Sequence, residues 1–239
     1  MNKLILSTAL LALTAGGAFA ADTIRMGTEG AYPPYNFIDD NGEVAGFERE
    51  LGDELCTRAE LTCTWVTNDW DSIIPNLVSG NYDTIMAGMS ITAERREVIE
   101  FTQDYYPPTA SIYLAPEAGI DLTGAVVAAQ TGTIQAGHVA TTGATLLEFA
   151  TGDETIAAVK NGEADAVFAD QDFLLPYTED GSLVVVGDPV PLGEGIGMGL
   201  RKSDAELKAK FDTAITAMKE DGTLNTLLKK YFGDETSIY

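Results

Sequence analysis

Two consecutive prolines, Pro107 and Pro108, stand in the stretch Tyr106-Pro107-Pro108-Thr109 and divide the chain. Proline fixes φ, donates no backbone N–H and disfavours helical geometry in the residue before it, so no helix crosses this point. The same alternation of strand-like and helix-like runs occurs on both sides. Before the prolines, Thr23–Thr28 (TIRMGT) alternates like a strand, residues 47–59 carry helical spacing and Thr62–Thr67 (TCTWVT) is strand-like. Asp71 is placed to cap a helix reaching Gly80, with Pro75 at its fourth position, and residues 82–87 read as a strand. After the prolines, residues 125–129 read as a strand and Gln130-Thr131-Gly132-Thr133 as a turn into a helix. Residues 153–161 read as a helix ended by Gly162, and 164–169 as a strand. Two β-α-β units predict an α/β fold with largely parallel sheets and a cleft at their junction.

The chain then reads Gly193-Glu194-Gly195-Ile196-Gly197-Met198-Gly199. These alternate glycines miss the spacing of a dinucleotide-binding turn and have no strand-turn-helix context, so they read as an extended crossover. Residues 203–218 and Thr223–Phe232 are amphipathic helices separated by Asp221-Gly222.

The first residues bear on compartment. Asn2 and Lys3 precede an apolar run at 4–15, and Ala18-Phe19-Ala20 is a small-x-small site ahead of Ala21-Asp22. Residues 1–20 therefore read as a secretory signal peptide cleaved after Ala20; the run is short for a bilayer and lacks a stop-transfer flank. No cysteine precedes Cys56, which argues against a lipid-modified N-terminal cysteine. Cys56 and Cys63 are the only cysteines, and in an oxidising compartment such a pair most simply closes a disulfide. A metal or redox pair is the alternative, but the spacing is unusual for either. His138 is the only histidine and is expected to lie exposed on a helix, and neither metal nor cofactor is expected.

Removal of the leader with Lys3 leaves 13 basic against 37 acidic residues. Such a chain repels nucleic acid and anionic lipid, so a nucleic-acid function is excluded and no membrane insertion is expected. Against this acidity, the pair Arg95-Arg96 stands out. Thr92 suits an N-cap and Glu94 a first turn, a place where the helix dipole favours anions over arginines.

Several motifs together carry a resemblance. They are Gly27-Thr28-Glu29-Gly30-Ala31-Tyr32-Pro33-Pro34-Tyr35, Val44-Ala45-Gly46-Phe47-Glu48, Asp71-Ser72-Ile73-Ile74-Pro75 and Ala87-Gly88-Met89-Ser90-Ile91-Thr92 with Arg95. Phe101-Thr102 with Tyr105-Tyr106 follows, then Gly197-Met198-Gly199-Leu200-Arg201-Lys202, Asp221-Gly222-Thr223 and Lys230-Tyr231-Phe232. In this order, almost end to end, the chain resembles the periplasmic solute-binding proteins for polar amino acids, which feed ATP-driven (ABC) importers. The resemblance implies a type II two-lobed "Venus-flytrap" fold, each lobe a mixed sheet flanked by helices. Lobe 1 would comprise residues 21–109 and 193–239, lobe 2 residues 110–192, with two hinge crossovers. Cys56 and Cys63 fall where the lysine/arginine/ornithine- and histidine-binding relatives have their disulfide. A periplasmic monomer that hands an amino acid to a membrane permease is the function implied.

A buried α-amino acid needs a fixed partner for each of its charges. The resemblance assigns the carboxylate to Arg95, whose guanidinium fork matches two oxygens, with Ser90 beside it; Arg96 is left as a surface charge. Asp170, at a strand end, resembles the family's ammonium-binding Asp, joined by the Gly88 carbonyl and the Ser90 hydroxyl. Thr133 would add a hydroxyl and an N–H to the carboxylate, while Ile134 stands where a second threonine is frequent. Glu29, Tyr32 and Trp70 match positions around the ligand side chain, and an acid between aromatic faces suits a cation. Arginine, lysine, ornithine or histidine is the expected ligand, with glutamine or an opine as the alternative. A cyclohexadienyl dehydratase-like enzyme on the same scaffold is the rival of another class, and a receptor sensing domain a further one. No catalytic constellation accompanies the cleft acids, so no catalytic residue is assigned.

Overall fold

The computed structural model describes residues 23–239; the signal peptide expected at 1–20 lies outside the described residues. The chain opens with β1 (Thr23–Thr28) and a small antiparallel sheet of β2 (Ala31–Tyr32), β3 (Asn36–Ile38) and β4 (Val44–Ala45). There follow α1 (Phe47–Arg58), β5 (Thr62–Thr67), α2 (Ile73–Val78), β6 (Thr84–Ile85), α3 (Ala93–Val98) and β7 (Glu100–Tyr106). Beyond the two prolines come β8 (Ala110–Ala115), β9 (Val126–Gln130), α4 (Ile134–Val139), β10 (Thr145–Phe149), α5 (Gly152–Lys160), β11 (Ala166–Asp170), α6 (Gln171–Leu174) and β12 (Val184–Pro191). The chain ends with β13 (Ile196–Leu200), α7 (Ala205–Glu220) and α8 (Thr223–Phe232).

These strands make two sheets of like topology, ordered β5-β1-β6-β13-β7 and β10-β9-β11-β8-β12. In each, four strands run in one direction and one against them: β13 against β6 and β7, β8 against β11 and β12. The sheets are thus mixed rather than largely parallel. The reason is connectivity: β8 and β13 are the strands that follow the two crossings between lobes, at 107–109 and 192–195, and each enters its new sheet from the cleft side.

Local chemistry sets several boundaries. Thr151 caps α5 through a reciprocal box with Glu154, which starts this helix a residue earlier than its apolar spacing suggests. Asp71 does not cap: Trp70–Ser72 form a 3₁₀ turn, α2 starts at Ile73, and Pro75 falls at its third position, still without loss of a helical bond. His138 is half-buried rather than exposed, its ring 5.2 Å from that of Phe168. Cys56 at the end of α1 and Cys63 in β5 form the disulfide, tying helix to edge strand over a sequence separation of 7.

The two lobes touch through aromatic rings. Tyr32 stacks on Phe173 across the two lobes with centroids 4.3 Å apart, while Tyr35 and Tyr106, both on the first sheet's side, pack edge-on at 5.4 Å. The Tyr35 and Tyr106 hydroxyls both donate to Asp172 in α6, at 3.3 and 2.8 Å, and burial raises the pKa of that carboxyl. Among the described residues, no helix is long and apolar enough to cross a membrane.

Candidate functional site

Glu29 follows β1, Trp70 follows β5, Gly88 and Ser90 follow β6, Gln130 ends β9 and Asp170 ends β11. The C-terminal ends of the parallel strands in both lobes therefore face one cleft, the usual place for a ligand in open α/β sheets. The free space left in the cleft is small, about 20 Å³. All eight residues expected from the sequence line it: Glu29, Tyr32, Trp70, Gly88, Ser90 and Arg95 from the first sheet's side, Thr133 and Asp170 from the second's. Ile134, noted in place of a second threonine, also lines it, and Ala87, Gln130 and Gln135, which the sequence reading does not assign to the site, complete the wall.

Arg95 is the third residue of α3, and the Thr92 side chain accepts its backbone N–H at 3.1 Å, making the expected N-cap. The guanidinium donates to the Ser90 carbonyl at 2.8 Å and lies over the Trp70 ring, 5.3 Å from its centroid. Among the described residues, no carboxylate oxygen lies within 4.0 Å of it. Burial lowers its pKa to about 10, with the charges of Asp170 and Glu94 opposing the shift. Arg96 is exposed and pairs with Glu100 at 3.2 Å, the surface role expected of it.

Asp170 accepts from the Tyr32 hydroxyl and from Gln135 Nε2, both at 2.9 Å, and has no cationic partner within 4.0 Å among the described residues. Burial raises its pKa to about 6 in spite of those bonds. Glu29 accepts from Gln130 Nε2 at 2.5 Å; burial first, then the charges of Glu48, Asp69 and Asp153, raise it to about 7. Thr133 caps α4, its hydroxyl donating to the Gln130 carbonyl at 2.7 Å and accepting from the Ala136 N–H at 3.1 Å. Its backbone N–H also points to the Gln130 carbonyl, at 3.3 Å. The donors expected to face a ligand are therefore engaged within their own lobe, because a helix start at Ile134 demands a cap.

A buried network holds two cleft loops in place. Glu48 accepts from the Gly88 N–H at 2.7 Å, from Asn36 Nδ2 at 2.7 Å and from the Tyr105 hydroxyl, while Asn36 Oδ1 accepts the Gly30 N–H at 2.7 Å. The loops after β1 and β6 are thus fixed to one carboxylate, and satisfied buried networks of this kind specify a single geometry. Gly88 has φ +61, a left-handed conformation. A Cβ there would meet nothing closer than Tyr32 Cδ1 at 3.5 Å, so Gly88→Ala has room but pays about 1–2 kcal/mol in backbone conformation. Scanning calorimetry is expected to find its melting temperature lower by roughly 2–8 °C; an unchanged value would contradict the constraint.

Two α/β lobes of like topology, joined by two crossings around a cleft, form a type II periplasmic binding protein. The chain belongs to the bacterial extracellular solute-binding proteins, family 3, whose pattern matches residues 24–234. It is 34% identical to the lysine/arginine/ornithine-binding periplasmic protein of Escherichia coli (strain K12), over 97% of each chain. It is 72% identical to a periplasmic His/Glu/Gln/Arg/opine family-binding protein from Silicibacter pomeroyi, crystallised in complex with lysine. That match has a TM-score of 0.89 and covers 90% of this chain and 100% of the other. An ancestral amino acid-binding protein, a precursor of cyclohexadienyl dehydratase, is 31% identical with a TM-score of 0.79, covering 88% and 95%.

Proposed function

We propose that this protein captures an L-amino acid with a cationic side chain, arginine, lysine, ornithine or histidine, and delivers it to the permease of an ABC importer. The observation that carries the reading is the charge balance of the cleft. One half-buried cation, Arg95, faces two acids, Asp170 and Glu29, and among the described residues none of the three has a counter-ion within 4.0 Å. A zwitterion satisfies Arg95 with its carboxylate and Asp170 with its ammonium, the latter joined by the Gly88 carbonyl and the Ser90 hydroxyl. Glu29 then remains, and a ligand carrying one further positive charge neutralises it. Tyr32 and Trp70 flank that side chain, and Thr133 closes the carboxylate end.

Closure brings residues 110–192 against residues 21–109 and 193–239, the strand crossings acting as the hinge. Export with removal of residues 1–20 and action in the periplasm fit the names of the relatives. Those names also describe binding proteins, so the cleft acids are read as ligand partners rather than as a general acid and base. Glutamine is the second reading, favoured by the pKa of about 7 at Glu29: a protonated carboxyl there could donate to an amide.

A thermal-shift screen of the twenty amino acids with ornithine and citrulline tests the proposal. A basic ligand at a thousand times its Kd stabilises by about 4.1 kcal/mol, a shift of roughly 8–16 °C. Citrulline, neutral but shaped like arginine, is expected to give far less. A larger response to citrulline or glutamine than to any basic amino acid would overturn the assignment.

A pH dependence follows from the same carboxylate. The ionised form of Glu29 is the one that attracts a cation, and it predominates above pH 7. Affinity for lysine is therefore expected to fall toward tenfold per pH unit below 7, and binding at pH 7 to release about half a proton from Glu29. Calorimetric titration in buffers of different ionisation enthalpy counts that proton. An affinity that stays flat from pH 8 to 5.5 would contradict the role of Glu29.

A further inference from the structure

Gln130 is 7% exposed, ends β9 in the second lobe, and reaches across the cleft to the first. Its Nε2 donates to Glu29 Oε1 at 2.5 Å and to the Ala150 carbonyl at 2.9 Å. The Ala150 carbonyl and the ionised Glu29 carboxylate can only accept, so with Glu29 charged the orientation of the amide is fixed: nitrogen toward Glu29 and Ala150, carbonyl oxygen on the other side. Among the described residues the Gln130 side chain makes its hydrogen bonds through Nε2 alone, and Gln130 lines the same cleft as Glu29 and Trp70.

We infer that Gln130 is a specificity-determining residue of this cleft. It fixes the Glu29 carboxylate when the lobes meet and presents its own carbonyl oxygen beside it, so that the tip of the ligand's side chain meets two acceptors. An ammonium or guanidinium brings donors alone and satisfies both oxygens. The carbonyl end of a glutamine side chain would face oxygens, and a buried acceptor without a donor is costly. The bond to Glu29 joins opposite lobes, so it forms only on closure, and it favours the charged carboxylate that a cation needs.

This inference rests on the proposed capture of a basic amino acid, and the test separates the two. Gln130→Met keeps length and bulk while removing both donor and acceptor. Gln130→Glu keeps an acceptor but sets a second acid against Glu29, so that the pair shares a proton. Glu48, Asp69 and Asp153 raise the proton affinity of Glu29, and Arg95 and Asp170 share its cleft; both variants leave all five unchanged. Lysine and glutamine affinities are measured by titration calorimetry between pH 5.5 and 8.5, with melting temperatures of the ligand-free proteins as a folding control.

The Met variant is expected to lose about tenfold or more in lysine affinity at pH 7, with a smaller change for glutamine. Its lysine-binding midpoint is expected to move to higher pH, and that of the Glu variant further still. Loss of packing alone would weaken both ligands together and leave the midpoint in place. If the native protein binds no basic amino acid, the proposed function fails. If it does, and a folded variant keeps both the lysine-to-glutamine ratio and the pH midpoint, the role of Gln130 is overturned.

Discussion

Arg95→Ala is expected to raise the Kd for lysine or arginine by two to three and a half decades while leaving the ligand-free protein as stable as before, or more so. The two halves of this result have one cause. Arg95 is a half-buried cation whose guanidinium, among the described residues, has the Ser90 carbonyl as its one hydrogen-bond acceptor, and its lowered pKa expresses the cost of keeping it charged there. A ligand carboxylate relieves that cost; removing one partner of a buried pair forfeits about 3–5 kcal/mol, which at 1.4 kcal/mol per decade gives the stated loss. In the ligand-free protein the substitution removes an uncompensated charge, so the usual penalty for truncating a buried side chain is offset. Titration calorimetry with scanning calorimetry of the same samples reads both quantities. A Kd changed less than tenfold would remove Arg95 from the carboxylate site, and a large fall in melting temperature would mark it as structural.

Asp170→Asn is expected to be nearly as damaging to binding, and for a more selective reason. Asparagine keeps the shape and an oxygen for the Tyr32 hydroxyl, so the link between lobes persists while the charge facing an ammonium is lost. The expected loss is at least about a hundredfold, from the 3–5 kcal/mol attached to an unmatched buried charge, here that of the ligand. The same variant has a signature without ligand. Asp170 has a folded pKa of about 6 against an ordinary 3.8, so the folded state binds its proton more tightly than the unfolded chain does. Stability from this group is therefore gained as pH falls from 6 toward 4 and lost as it rises. Asp170→Asn should flatten that part of the profile of melting temperature against pH. A variant that binds lysine normally would refute the ammonium assignment, and an unaltered profile would refute the titration.

Much of the site was legible because its parts are local. Thr92 and Arg95 are three residues apart, so a cap motif next to a lone functional charge can be read from the chain. Gly88 and Ser90 lie in the same short loop. Gln130 and Glu48 act over distance: Gln130 meets Glu29 across 101 positions, and Glu48 holds Gly88 across 40. Neither pairing has a periodicity or spacing to betray it. Gln130 was read only as the start of a turn and Glu48 only as part of a motif.

The fold shows the same division. The strands β1, β5 and β9 and helices α5, α7 and α8 carry clear patterns. The small sheet of β2, β3 and β4 has segments of two or three residues, too short to show alternation. The edge strand β12 contains Gly187, Pro189 and Pro191, composition that reads as loop and is tolerated because an edge needs fewer ladder bonds. The mixed direction of each sheet follows from the path between lobes, which no local run of residues encodes.

In the proposed reading Arg95 and Asp170 address atoms that every α-amino acid possesses, whereas Glu29, Trp70 and Gln130 sit on three separate loops, after β1, after β5 and at the end of β9. A substitution in one of those loops can alter which side chain is accepted without dismantling the grip on the common part. The layout leaves open a stepwise route to new nutrients: each intermediate along it remains a working receptor for some amino acid, and taste drifts while the handshake stays the same.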